Sequence, residues 1–168
     1  MPATVVGTVS FPDERIGRHF GHHPQFSTRS SSGSWRFSLV QVPIADLHCL
    51  YPDPGVRTDN PAGLMGSVGA SPIGYAGVPI QTMIALIAAA LARGSADLQN
   101  PALQWVLRLR TAGIHRIRAQ DQPLALSHLN GVWFVREGLH RVVALGLLGA
   151  QYVEAADFES GALDPGAG

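Results

Sequence analysis

Two apolar-rich stretches, LALSHL and VWFVRE, flank the dipeptide Asn130-Gly131, and no other feature limits so sharply what this chain can fold into. A two-residue type I′ turn needs positive φ at both central positions, which Asn-Gly adopts with little strain, so the segment reads as a β-hairpin. Its second strand runs into Glu137 and Gly138, and the apolar run LHRVVALGLL follows. Gly138 permits a tight strand-to-helix turn, the apolar run reads as a helix, and Gly149 ends it. QYVEAADF then reads as one more strand.

The upstream pattern supplies the remaining elements. RFSLVQVPI reads as a strand with Phe37, Leu39 and Gln41 on one side, Val40 and Val42 on the other, and Pro43 closing it. The loop LHCLYPDPGVRTDNPAG follows, and the stretch 63–77 is small and glycine-rich without phosphate-loop spacing. The glycine-rich loop over 58–78 is of a length that often carries function. Pro79 then opens a helix, IQTMIALIAAALAR, with Arg93 in its last turn and Gly94 as its stop. Being apolar nearly all round, this helix should be central and buried. Asn100 caps a second helix that starts at Pro101, carries ALQWVLRLRTA and stops at Gly113. Trp105 and Trp133 are expected in the core.

These elements predict an α+β fold, a small mixed sheet with helices packed against it. The 168 residues suffice for one compact domain, expected over 35–158. Residues 1–34 are polar, rich in Ser and Gly and without a sustained period, so a flexible or loosely docked arm is expected there, with a frayed tail over 159–168. No basic start with an apolar core opens the chain, and Met83–Ala92, its most apolar segment, is too short to span a bilayer. A soluble cytoplasmic protein, with no membrane partner, is the expectation. Twelve basic residues balance twelve acidic ones, so no net field draws the chain to nucleic acid. Any anion site must be local. The single cysteine, Cys49, excludes an internal disulfide framework and reads as a small buried hydrophobe.

The joint at 137–141 concentrates the chemistry. If Gly138 ends the strand, Leu139, His140 and Arg141 occupy the first helical turn, where unpaired N–H groups and the positive end of the helix dipole favour anions. His140 and Arg141 add donors suited to phosphate or carboxylate oxygens. Glu137 would repel a phosphate unless a cation or a proton lies between them, which makes it a candidate Mg²⁺ ligand or general base. The spacing equally admits a plainer reading, in which Glu137 caps the helix electrostatically and His140 and Arg141 are solvated.

The order strand, turn, strand, acid-Gly-x-His-Arg, apolar helix and short strand, in LALSHLNGVWFVREGLHRVVALGLLGAQYVEA, resembles the ParB/sulfiredoxin-like superfamily. FSLVQVPIADLHCLYPDPGVR, residues 37–57, is a weaker match to the family's first strand and loop. The resemblance implies that Gly138, His140 and Arg141 hold the phosphates of a nucleotide, and Arg57 falls where the partition proteins place a nucleotide-contacting arginine. Those proteins carry Gly-Glu-Arg-Arg where this chain has Gly138-Leu139-His140-Arg141, and their helix-turn-helix region is not expected here. Sulfiredoxins place a reactive cysteine where this chain has Leu139, which argues against their activity. The nearest pattern is the acid-Gly-x-His-Arg branch, which includes free-serine kinases, whose catalytic acid lies in the loop after the first strand. That loop offers His48, Asp53 and Arg57 here, and no acid aligns. The implied function is binding of a nucleotide or phosphate compound with phosphoryl transfer or hydrolysis as candidate chemistry, Glu137 and His140 as candidate catalytic groups, and Glu137 as the candidate metal ligand. The alternative is a non-catalytic DNA-associated or protein-interaction regulatory module that retains the fold.

Two further clusters complete the inventory. His19, His22 and His23 have metal-ligand chemistry but sit in the expected arm, where a solvated cluster is the simpler reading. Arg108 and Arg110 point to nearly opposite sides of a helix, while Arg116 and Arg118 would share one face of a strand.

Overall fold

The computed structural model describes residues 3–12, 33–49, 79–94, 101–118 and 124–164. Seven strands form one mixed sheet: β1 (Thr4–Pro12), β2 (Ser34–Pro43), β3 (Leu47–Cys49), β4 (Ala125–Leu129), β5 (Val132–Glu137), β6 (Tyr152–Asp157) and β7 (Ala162–Asp164). The strand order is β1-β2-β6-β4-β5-β3, with β7 pairing β2 beyond the end of β6. Among the described residues, four α-helices accompany it: α1 (Ile80–Arg93), α2 (Pro101–Ala112), α3 (Ile114–Arg118) and α4 (Leu139–Leu147). This is an α+β fold.

The hairpin forms where the sequence puts it. Asn130 and Gly131 take φ of 51° and 79°, and Leu129 pairs with Val132 and His128 with Trp133 across the antiparallel ladder. The centre of the sheet mixes directions, since β4 and β6 run parallel, as do β3 and β5. α4 packs against both α1 and α2. The main core lies between these helices and one sheet face, where Val40, Val42, Leu126, Val135 and Val153 meet Met83, Ile87, Val106 and Val142. Each such side chain, fully buried, contributes about 1.5–3 kcal/mol. On the other face, Trp35, Phe37, Ala125, Ala156 and Phe158 form a second, more aromatic cluster. β2 therefore buries alternate residues on both sides, Phe37 to one and Val40 and Val42 to the other.

Several expectations are corrected. Thr4–Pro12, placed within a loosely docked arm, is an edge strand on β2. Its β-branched content suits a strand, but a register shift between Val5 and Gly7 breaks the alternation that would have revealed it. In the tail expected to fray, Ala162–Asp164 pairs with Ser34–Arg36, and Leu163 packs on the aromatic cluster. α1 buries one stripe, Ile80, Met83, Ile87 and Ala90, and exposes Ala85, Ala88, Ala89 and Ala92, residues whose helix propensity is high and whose apolar area is small. Trp105 is 49% exposed because it lies off the Leu103, Val106, Leu109 stripe of α2, and the Arg108 guanidinium covers its ring at 5.2 Å. Arg116 and Arg118 sit on the short helix α3 and share no strand face; Ile117 N–H closes that turn on Gly113 O at 3.0 Å. Trp133 packs against the main core as expected. Cys49 is buried with its thiol pushed up to about 12 by desolvation, which suits the hydrophobe expected and not a nucleophile. Among the described residues, no helix is long and apolar enough to cross a membrane.

Candidate functional site

The turn from β5 into α4 depends on Gly138. Its φ of 95° lies in the left-handed region, and a Cβ there would stand 2.3 Å from Leu124 Cδ1 and 2.8 Å from Arg141 Nη2. Only a residue without Cβ lets both side chains occupy that space. Gly138 O accepts the Val142 N–H at 3.0 Å, and no side chain caps the helix. The N–H groups of the first turn thus have no partner within the helix itself.

Arg141 follows from this geometry. It is one of two buried polar residues among those described, only 7% exposed, in a helix whose other buried side chains are aliphatic. Burial lowers its pKa from the ordinary guanidinium value, and the charge of Glu137 acts in the opposite direction. Glu137 is half-buried at the end of β5. The two charges were read from the sequence as parts of one anion site. In the structure they act first on each other, which lessens the cost of burying Arg141.

Arg141 lines a cavity of about 230 Å³. β4 begins only at Ala125 and meets β6 only at Ala156 and Asp157, so the earlier part of β6 has no β4 neighbour. The cavity opens there, walled by Phe11, Leu39 and Leu124, with Arg118 and Glu154 as its other charged groups. Arg118 is exposed; its guanidinium donates to Tyr152 O at 3.3 Å and lies over the Tyr152 ring at 5.1 Å. Neither Glu137 nor His140 lines this space. The sequence had singled out Arg118 only as one of a basic cluster, and Glu154 not at all. Both come to the cavity through the pairing of β6 and the placement of α3, which no local pattern encodes.

His140 is half-buried, and desolvation lowers its pKa. Its neutral form is therefore favoured near neutral pH, contrary to the cationic donor the first-turn reading wanted. A neutral imidazole can still accept a proton or donate one hydrogen bond. Arg57 and Asp53 lie outside the described residues, as do His19, His22, His23 and the stretch 58–78. His48, the remaining candidate of the first loop, sits on β3 against Phe134, 6.2 Å between ring centroids. Its Nδ1 is buried without a hydrogen-bond partner among the described residues.

The fit of the implied groups can be tested on these donors. Among the described residues, the grouping of three histidine or carboxylate side chains close enough to share a cation is His128, Asp157 and Glu159, and Glu137 is not in it. Mg²⁺ wants several oxygen ligands, and the one carboxylate at the joint already interacts with Arg141. Among the described residues, no donor set accompanies Glu137 for the metal expected there. Phosphate oxygens fit better, since two guanidinium groups, each a planar fork of donors, line one cavity. A second cavity of about 290 Å³ lies by Thr4, Gln41, Gln81 and Gln151; its lining carries no cation to hold an anion. Comparisons of the chain with known protein families and with curated proteins, and of its fold with solved structures, found no match.

Proposed function

We propose that the protein binds the anionic end of a phosphate-bearing small molecule in the cavity beneath α4, a nucleotide being the ligand implied by the resemblance to the ParB/sulfiredoxin-like superfamily. The observation that carries this reading is a buried guanidinium, Arg141, lining an open cavity that a second guanidinium, Arg118, also lines. An arginine inside an aliphatic helix face is costly, and one that also meets a cavity has a use for its planar fork. About 230 Å³ accommodates a phosphate or pyrophosphate group but lies below the range typical of sites that enclose a drug-sized molecule, about 300–1,000 Å³. The remainder of a nucleotide would project from the mouth. Glu154 on the same lining disfavours a highly charged ligand there and favours one with a polar sugar or amine beside its phosphate.

Phosphoryl transfer or hydrolysis needs a proton acceptor near the reacting oxygen. Glu137 and the neutral imidazole of His140 stand at the same helix head but outside the lining, so binding is the primary reading and catalysis the secondary one.

A thermal-shift series with pyrophosphate, nucleoside diphosphates and nucleoside triphosphates tests the reading, since a ligand that prefers the native state raises Tm. One of these should raise Tm at millimolar concentration, and Arg118→Ala, a change at an exposed residue, should weaken its affinity by about tenfold, the worth of a charge-assisted hydrogen bond. Arg141→Lys keeps the charge but loses the fork and should weaken it further. If none of the probes shifts Tm, or if both variants bind as the parent does, the reading is wrong.

A further inference from the structure

Along β4, away from the cavity, a second group of side chains converges. His128 lies on β4, Asp157 ends β6, and Glu159 lies in the 3-10 turn Phe158–Ser160 that follows. Because β4 and β6 run parallel with Leu126 opposite Asp157, the far end of β4 comes alongside that turn. One ligand atom from each of the three lies within 4.8 Å of the others.

Each donor is held from behind. The His128 ring packs on Trp133, 4.6 Å between centroids. Asp157 Oδ1 accepts the Glu159 N–H at 3.1 Å, which leaves Oδ2 3.4 Å from His128 Nε2. Glu159 Oε1 accepts the hydroxyl of Ser127, a side chain 1% exposed. One oxygen of each carboxylate is thus held by a hydrogen bond, Asp157 Oδ1 by the Glu159 N–H and Glu159 Oε1 by Ser127. Two carboxylates this close repel one another. Arg136 acts on Glu159 through its charge, yet its guanidinium lies over the Phe158 ring at 4.3 Å, and His128 offsets Asp157 only when protonated. A divalent cation held by the three would offset the repulsion between the two carboxylates.

We propose that His128, Asp157 and Glu159 bind one first-row divalent transition cation of the zinc class. One imidazole nitrogen with two carboxylate oxygens suits Zn²⁺, Co²⁺ or Mn²⁺, whereas Mg²⁺ and Ca²⁺ prefer all-oxygen shells. The Ser127 hydroxyl and the Glu159 N–H are the outer hydrogen bonds that orient such ligands. Three protein donors leave a coordination position for water, and side chains that are 40% exposed at His128 and 15% at Asp157 let the ion enter. None of the three ligands lines the anion cavity, although Ala156, in its wall, directly precedes Asp157 on β6.

Co²⁺ is the probe, because its visible absorption reports the coordination of the full-length chain during a titration with CoCl₂, and ZnCl₂ then competes for the same ion. The expected result is one equivalent of Co²⁺, displaced by ZnCl₂ and not by MgCl₂ at the same concentration. Affinity should fall more than tenfold in His128→Ala and in Glu159→Gln, two changes at the surface. Ser127→Ala should weaken it by about tenfold, as loss of an outer hydrogen bond does. A triple variant, His19→Ala with His22→Ala and His23→Ala, should bind as the parent does. Absence of Co²⁺ binding, binding unchanged in both His128→Ala and Glu159→Gln, or its loss in the triple variant would each overturn the proposal.

Discussion

The two ends of β4 solve the same problem, charge at the border of a packed sheet, in opposite ways. At the Leu124 end, Arg141 is buried beneath a helix and countered by a neighbour four residues away in sequence, with a glycine turn fixing both. At the His128 end, three half-exposed or exposed groups come from two strands and a turn, separated by about thirty residues of chain, with no buried charge among them. The first arrangement is local and brittle, because one residue controls the position of several others. The second is assembled by the sheet and tolerant, because each member has a support of its own, a hydrogen bond at Asp157 and at Glu159 and the Trp133 ring at His128. Stability should therefore respond strongly to changes at 137–141 and weakly to changes at 157–159.

The largest effect belongs to Gly138. Gly138→Ala forces a Cβ into a left-handed backbone and against Leu124 and Arg141, so the unfolding free energy in urea should fall by about 2–4 kcal/mol, combining left-handed strain with an overpacked neighbour. A loss below 1 kcal/mol would mean that the turn relaxes freely, and the contrast between the two ends would fail.

The ease with which this joint can be read from the sequence has the same origin. Asn130-Gly131, Gly138 and the periodic LHRVVALGL lie within a span of eighteen residues, and turn chemistry and helical period act at that range. β1 escaped because the irregularity at Val5 and Gly7 shifts its register, and an alternation that slips by one residue looks like no alternation. β7 escaped because three residues carry no period, and their pairing with Ser34–Arg36 is a contact across more than a hundred residues. For the same reason no reading of the chain could join His128 to Asp157 and Glu159. That contact exists only once β4 and β6 run side by side, and the parallel pairing is set by the packing of α4 between them in sequence. The place of Arg141 on the first turn of α4 was legible, but its depth and its interaction with Glu137 were not, because a helix position says nothing of what covers it.

The next effect in size tests the charge interaction itself. Glu137→Gln removes the carboxylate that opposes the desolvation of Arg141, and should cost about 1–3 kcal/mol, kept modest because water screens a half-buried carboxylate. If the variant is as stable as the parent, Arg141 draws its compensation from elsewhere, and the account of the joint as a self-contained unit must be given up. At the other end, Asp157→Ala removes the oxygen that accepts the Glu159 N–H at the start of the 3-10 turn, as well as the partner of His128. A capping loss of about 1 kcal/mol is expected, smaller than the effect of Gly138→Ala. Ser160, whose hydroxyl donates to Asp157 O at 2.6 Å and accepts the Ser38 N–H at 2.8 Å, keeps the turn in place when the carboxylate is gone. A larger loss than at Gly138 would reverse the ranking of the two ends.

The smallest effect is a slope. Burial lowers the pKa of His140 below its ordinary 6.5, so in the window between the folded value and 6.5 the unfolded chain binds more protons than the folded one. Stability conferred by this residue is therefore fully present above pH 6.5 and is lost as pH falls through the folded pKa. Urea midpoints measured from pH 7.5 down to pH 5 should decline for the parent, and the decline should be shallower for His140→Gln, which keeps a polar side chain of similar reach but cannot titrate. Were His140→Gln to leave the whole pH profile unchanged, the buried end of the sheet would not be proton-sensitive through this residue, and the imidazole at the head of α4 would be as solvated as the plainer reading of the sequence holds.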